Sequence, residues 1–378
     1  MDRVVVTRHV PGLGIEDFIR AGHEVFRGDP TYVPPLDLMV HDQLSPRSPF
    51  FQHAAVALFT ARSQGQLVGR ISAQVDWEHQ ARYQDRVGFF GFFDTVEDPA
   101  VASALLDHAA EWLGSFGMTR MRGPLSLSIN QEVGLLVDGF DTPPAVMTPH
   151  SRTYQDRVAC EAGLVKVKDL FAWRWTVTDR QPDRVNRAME AISKMPEVRF
   201  RTVNLQSEIN DMVHVQDDAW KHNWGHVSMT ALEAQQLRDE LKPILDPEVA
   251  VAVDVDNELA GMALAVPNLN EVIRDFGGKL SAKNLVRLVW RMKVRRPKSG
   301  RVAMLGIKES IRKQKKYMPL ALALVGELNR RGYLRGYQWS ELSWTLEDNG
   351  PVNALIRSVG GKLYKRYRLY EKPISDHR

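Results

Sequence analysis

Apolar residues alternate with polar ones, or recur every three to four positions, in an order of elements that the chain runs through twice. In the first half, a strand-like run at 3–9 leads into a helical pattern carrying Ile15, Phe18, Ile19, Ala21 and Val25. Pro30, Pro34 and Pro35 break it. Segments 54–59 and 67–75 predict a hairpin around Gln64-Gly65-Gln66, and 88–94 a third strand. Pro99 then opens a helix with Ala102, Leu105, Leu106, Ala109 and Leu113 on one face, ending near 114–117. A strand from Arg120, a short helix over 154–162 and a strand over 170–177 complete this half.

The second half predicts a strand at 198–203, helices at 208–220 and 232–245, and a hairpin of 249–255 with 259–266 around Asp256-Asn257. An apolar strand (Val302, Met304, Leu305, Ile307) runs into a basic loop from Lys308 to Tyr317, followed by a helix opened by Pro319. Gly332 ends that helix; a strand over 338–344, Asn349, a short helix and a strand rich in Tyr and Arg follow. The repeated order predicts a tandem duplication, with a linker near 179–183 and domains at 1–180 and 181–378. A length of 378 residues suits two domains. The second carries a basic insert at about 268–300.

Chemistry concentrates at the junction after Ile307. Backbone N–H groups at a helix start, together with the positive end of its dipole, favour an anion. Lys308, Arg312, Lys313, Lys315 and Lys316 add to that field. The expected contacts of a pyrophosphate-bearing nucleotide are Ile307, Arg312, Lys313, Gln314, Lys315, Lys316 and Tyr317. In the first half the same place holds Asp94, Glu97 and Asp98, which repel a pyrophosphate. That half is expected to be degenerate, either shaping an acceptor site or serving only as scaffold.

Several phrases resemble the GNAT superfamily of N-acyltransferases, and within it a bacterial tandem subfamily that includes ceramide synthases. They are Glu341 to Asn349 (ELSWTLEDN), Gly360 to Lys372, Ala219 to Gly225 (AWKHNWG) and Phe89 to Asp94. The resemblance covers nearly the whole chain. It implies an α/β architecture of tandem GNAT folds, each a mixed twisted sheet flanked by helices. It also implies acyl-CoA as co-substrate without a metal, and transfer to an amine, in its sharpest form a long-chain acyl group to a sphingoid base. Transfer to an amino acid or polyamine, or a non-catalytic binding module, are the alternatives. Two departures stand out: the phosphate loop reads Arg312-x-x-Lys315-x-Tyr317 without the family's small residues, and Ile356 stands where many relatives place a proton-donating Tyr. The resemblance makes Asn349 a pantetheine contact; as a residue, Asn is also a helix cap.

Amide formation needs a base for the amine, polarisation of the thioester and a proton for the thiolate. Glu341, between apolar and aromatic neighbours, is the first candidate base; a strand Glu paired with an Arg is the plain alternative. His222 sits in the cluster Trp220, Asn223, Trp224 and is a candidate for catalysis or positioning. Tyr367 or Tyr317 is a candidate proton donor.

Composition narrows the picture little: 44% hydrophobic and 25% charged residues suit a globular protein, and net charge is +4. The charge is uneven. Residues 283–301 hold Lys283, Arg287, Arg291, Lys293, Arg295, Arg296, Lys298 and Arg301 without an acid. With Leu285, Leu288, Val289 and Met292 at helical spacing, this segment suits either a peripheral contact with an anionic membrane face or packing with solvated charges. A single cysteine, Cys160, excludes an internal disulfide and a thiolate metal cluster. No leader pattern and no spanning run are read, so the expected location is cytoplasmic. P-loop, dinucleotide, zincin and serine-hydrolase motifs are missing, and nucleic acid is not an expected partner.

Overall fold

The hairpin expected around residue 65 is present: Gln64 and Gly65 both take positive φ and turn the chain back on itself. The computed structural model describes residues 3–375. It divides into a first unit of residues 3–170, 273–287 and 365–375, and a second of 171–272 and 288–364. The sequence placed a boundary near 179–183. The compact units instead divide within a strand, after Leu170, and the chain's last strand is shared out after Tyr364.

In chain order the first unit holds β1 (Val5–His9), α1 (Glu16–Val25), α2 (Asp37–Gln43), β2 (Ala54–Ser63), β3 (Gln66–Asp76), α3 (Trp77–Tyr83) and β4 (Val87–Thr95). There follow α4 (Pro99–Gly114), β5 (Arg120–Gly123), β6 (Leu135–Asp138), α5 (Gln155–Glu161) and the start of β7 (Val165–Thr176). Strands β1 to β4 pair antiparallel in sequence order, and β4 pairs parallel with β5. Helix α4 lays Leu105, Leu106, Ala109 and Leu113 into a core with Phe59, Ile71, Phe90 and Met121. Each leucine so buried stabilises the fold by about 2 kcal/mol.

The second unit opens with α6 (Asp183–Ser193), a helix that the sequence reading, with its linker near 179–183 and its next strand at 198–203, left unassigned. Its Val185, Ala188 and Ile192 are buried at the i, i+3, i+7 spacing of one helical face. Then come β8 (Val198–Thr202), α7 (Leu205–Trp220), α8 (Ala231–Leu241), β9 (Ala250–Val255), β10 (Glu258–Pro267) and α9 (Leu269–Ile273). Helix α10 (Ala282–Trp290) belongs to the first unit as far as Arg287. Next are β11 (Ser299–Ile307), α11 (Glu309–Arg312), α12 (Leu320–Leu334), β12 (Trp339–Leu346), α13 (Gly350–Ser358) and β13 (Lys362–Pro373), which passes to the first unit after Tyr364. Strands β8 to β11 pair antiparallel in order, and β11 pairs parallel with β12. Helices α6 and α12 cover one face through Val185, Ala188, Leu320, Ala323, Leu324 and Leu328. Helix α7 covers the other: a Cβ on Gly306 of β11 would lie 3.0 Å from that of Ala219, so glycine is what lets this helix pack close.

Candidate active site

β11 and β12 pair only from Ser299↔Trp339 to Val302↔Leu342, although β11 runs on to Ile307 and β12 to Leu346. Immediately after the last pair, the β10–β11 register slips: Leu264 faces Met304 while Ala265 faces Val302, leaving Ala303 as an extra residue. Such a bulge bends and twists its strand. It sits where the two strands part, and the backbone of β11 beyond it faces the opening. Five residue steps lead from Ala303 to Lys308, about 16 Å of strand and enough for an extended pantetheine-like arm. The Trp220 indole, at the end of α7, donates to the Leu305 carbonyl at 3.3 Å. One turn earlier on α7, the side-chain amide oxygen Oε1 of Gln216 is buried without a hydrogen-bond partner among the described residues.

At the point of parting lies a charged cluster. Arg301 and Glu341 are register partners, and Ser343 follows on the same face of β12 two residues on. Glu341 has no exposed surface. A lone buried carboxylate costs several kcal/mol of desolvation. Here Arg301 Nε lies 3.8 Å away, and the hydroxyls of Ser343 and Tyr364 both donate to the carboxylate. Arg301 Nε donates to Ser343 Oγ at 2.8 Å, which fixes that hydroxyl's direction. Both readings of Glu341 therefore meet in one place: it pairs with an Arg, and it stands where two strands open.

The phosphate loop departs from its sequence picture in how its cations are used. Glu309 accepts from Lys313 at 2.7 Å and Lys221 at 2.6 Å, and Lys316 pairs with Glu197. Hydrogen bonds from Lys221, then Lys313, hold the Glu309 carboxyl down at about 2. A carboxyl lowered on folding stabilises the fold above its ordinary range, and this contribution shrinks progressively as pH falls from that range and is gone below about 2. Lys308, Arg312 and Lys315 make no ion pair among the described residues, and the last two are exposed. Helix α12 begins beside them with Pro319 and no side-chain cap, so its first N–H groups have no side-chain acceptor. Tyr317 is buried, with its hydroxyl 3.5 Å from Glu197, while Gln314 is exposed and donates to Ser310 O at 3.0 Å. Ile307 is buried at the end of β11.

The remaining candidates are placed as follows. His222 is exposed in the turn after α7, with no hydrogen bond or ion pair among the described residues. Tyr367 is buried in the first unit, where it pairs with Leu136 of β6. Asn349 caps α13, accepting from Val352 N at 3.3 Å. Ile356 lies in the apolar core of the second unit. Ser343, Tyr364 and Arg301 were not singled out as site residues. Only the Glu-x-Ser spacing on a strand could have signalled any of them.

The first unit shows what a closed version of the same junction looks like. β4 and β5 pair over Val87↔Arg120 to Phe89↔Arg122 and then part, but the chain after β5 fills the gap: Leu125 N donates to Phe90 O at 2.7 Å. A Cβ on Gly91 would lie 1.8 Å from the Leu125 carbonyl oxygen, so only glycine admits this plug. The three carboxylates are also taken up structurally. Asp94 pairs with Arg70 at 2.7 Å, Glu97 with Arg157 at 2.7 Å, and Asp98 caps α4 through Ala100 N at 2.9 Å. A helix end capped by its own carboxylate has little left for an anion.

No protein-family model matches the chain. Protein YghO of Escherichia coli is 34% identical over 95% of the chain and 93% of its own length. A protein of Caulobacter vibrioides named bacterial ceramide synthase is 36% identical over 92% and 91%. Among solved structures, a tandem GNAT protein from the clavulanic acid biosynthesis pathway matches with a TM-score of 0.59, at 13% identity, over 100% of both chains. A GCN5-related N-acetyltransferase from Sphaerobacter thermophilus matches at 0.54, with 14% identity, over 99% of this chain and 96% of its own. At such identities the structures speak for the fold alone, whereas the two sequence relatives speak for kinship over nearly full length. The chain is therefore a tandem-GNAT protein and belongs, with the Caulobacter protein, to the bacterial ceramide-synthase family of N-acyltransferases.

Proposed function

We propose that this protein transfers a long acyl group from acyl-CoA to a lipid amine of the sphingoid type, using the second unit for both donor and chemistry. The observation that carries this is the parting of β11 and β12, with the Arg301–Glu341–Ser343–Tyr364 cluster at its closed end and unpaired cations at the end of β11. The pyrophosphate rests on Lys308, Arg312, Lys315 and the start of α12, and the pantetheine arm lies along β11. The amine attacks the thioester carbonyl carbon, its proton passes to Glu341, and the carbon–sulfur bond then breaks with that proton returned to the departing sulfur. Asn349 is left as a cap, a role its geometry already fills.

One feature favours a lipid acceptor over a small amine. Helix α10 has no buried residue, and Leu285 (48%), Val286 (70%), Val289 (54%) and Trp290 (52%) are exposed, which a helix packed on the protein would not leave open. Lys283, Lys293, Arg295 and Arg296 are exposed along the same segment. That combination suits the surface of an anionic bilayer. Among the described residues no helix is long and apolar enough to cross a membrane, so the contact is peripheral. The test presents sphinganine in vesicles containing phosphatidylglycerol, adds palmitoyl-CoA and follows the N-acyl product by mass spectrometry. Product is expected, and a variant with Val286, Val289 and Trp290 changed to Ser should lose vesicle association and most of that rate. Equal acylation of spermidine, with no use of sphinganine, would contradict the lipid reading.

A further inference from the structure

Glu341 has no exposed surface, which sets a problem for any direct contact with an incoming amine. Tyr364, in contrast, is half-buried, and its hydroxyl donates to Glu341 Oε2. A phenol that gives its hydrogen to a carboxylate keeps its oxygen lone pairs for another donor. Its ring lies edge-on to Trp339 with centroids 6.4 Å apart, and Arg174 stacks on that Trp at 4.2 Å. Ser343, held by Arg301, fills the other carboxylate oxygen of Glu341, so Tyr364 is the neighbour through which that carboxylate communicates outward.

Building on the acyl-transfer reading, we propose that Tyr364 is the residue that touches the reacting groups, and that Glu341 works through it as a proton store. The amine nitrogen forms a bond to the thioester carbonyl carbon while its N–H hydrogen passes to the Tyr364 oxygen. The Tyr364 hydrogen moves to Glu341 in the same relay. The tetrahedral intermediate then collapses with cleavage of the carbon–sulfur bond, and the sulfur takes the proton back from Glu341 through Tyr364. The sum is amine plus thioester giving amide plus thiol, with both residues returned to their starting protonation. In this scheme Tyr364 is catalytic, Glu341 and Ser343 are positioning residues, and Arg301 balances the buried charge. A separate acid at Ile356 is not needed, because one relay serves the amine and the thiolate in turn.

The experiment compares wild type, Tyr364→Phe, Glu341→Gln and the double variant in release of free thiol from palmitoyl-CoA. Sphinganine, dodecylamine, spermidine and glycine serve as acceptors, and palmitoyl-CoA affinity is measured separately. The relay predicts a fall in kcat of about 100-fold for Tyr364→Phe with donor affinity unchanged. It predicts nearly the same fall for the double variant, because groups acting as a unit are not additive. A purely structural role predicts lost thermal stability with kcat retained. Tyr364→Phe within a few-fold of wild type, or a double variant showing the product of the two losses, would overturn the relay while leaving the transferase reading standing. Wild type that binds palmitoyl-CoA but acylates none of the four amines would sink the transferase reading, and the relay with it.

Discussion

Replacing Glu341 with Gln is expected to lower turnover about 100-fold or more while acyl-CoA affinity stays within about twofold. The amide keeps the shape of the side chain, but its single oxygen can receive only one of the Ser343 and Tyr364 hydrogens, which in the wild type go to separate carboxylate oxygens. It cannot store a proton. It also leaves the Arg301 guanidinium, 6% exposed, without its counter-charge. Removing one partner from such a buried pair costs about 3–5 kcal/mol, so a drop in thermal stability should accompany the loss of rate. Donor affinity separates the two effects, since the pyrophosphate contacts lie at the far end of β11. Stopped-assay turnover beside calorimetric affinity checks this, and a fully active variant would remove Glu341 from the mechanism.

The second large effect is expected in the phosphate loop, and it depends on which cations are chosen. Changing Lys308, Arg312 and Lys315 together to Ala should weaken acyl-CoA binding about 30-fold, from roughly 0.5–1 kcal/mol per exposed charge contact. The dependence of affinity on salt should flatten at the same time. Changing Lys313 and Lys316 instead should cost less, because Glu309 and Glu197 already hold them. Equal losses in the two variants would mean that the ligand breaks those pairs to recruit their lysines.

Much of this was legible in the residues themselves. The strand–basic loop–helix order after residue 301 located the junction, and the matching order in both halves indicated two GNAT folds. The acids at 94–98 marked the first copy as degenerate. The stronger reason escaped notice, because the Leu125 plug depends on a backbone approach that Gly91 permits and no side chain announces. Helix α6 was overlooked because Asp179 to Asp183 read as a linker, although Val185, Ala188 and Ile192 carry its spacing plainly. The cluster at the parting was hardest to foresee. Arg301, Glu341 and Tyr364 come from three strands far apart in sequence, and only the β11–β12 register brings the first two side by side. Arg301 read as the end of a basic run, whereas it is buried against Ser343. The helix at 282–290 left packing and an open face as alternatives, and Leu285, Val286, Val289 and Trp290 are exposed while Leu288 is half-buried.

A single acyl-CoA site in the second unit, with an apolar path for the acyl chain, is what the proposed transfer requires above all. Calorimetric titration with acetyl-, octanoyl- and palmitoyl-CoA, with free CoA as control, tests it most directly. One ligand per chain is expected, bound more tightly as the acyl group lengthens, and weakened in the Lys308/Arg312/Lys315 variant. Two equivalent sites per chain, affinity indifferent to acyl length, or no binding at all would contradict it.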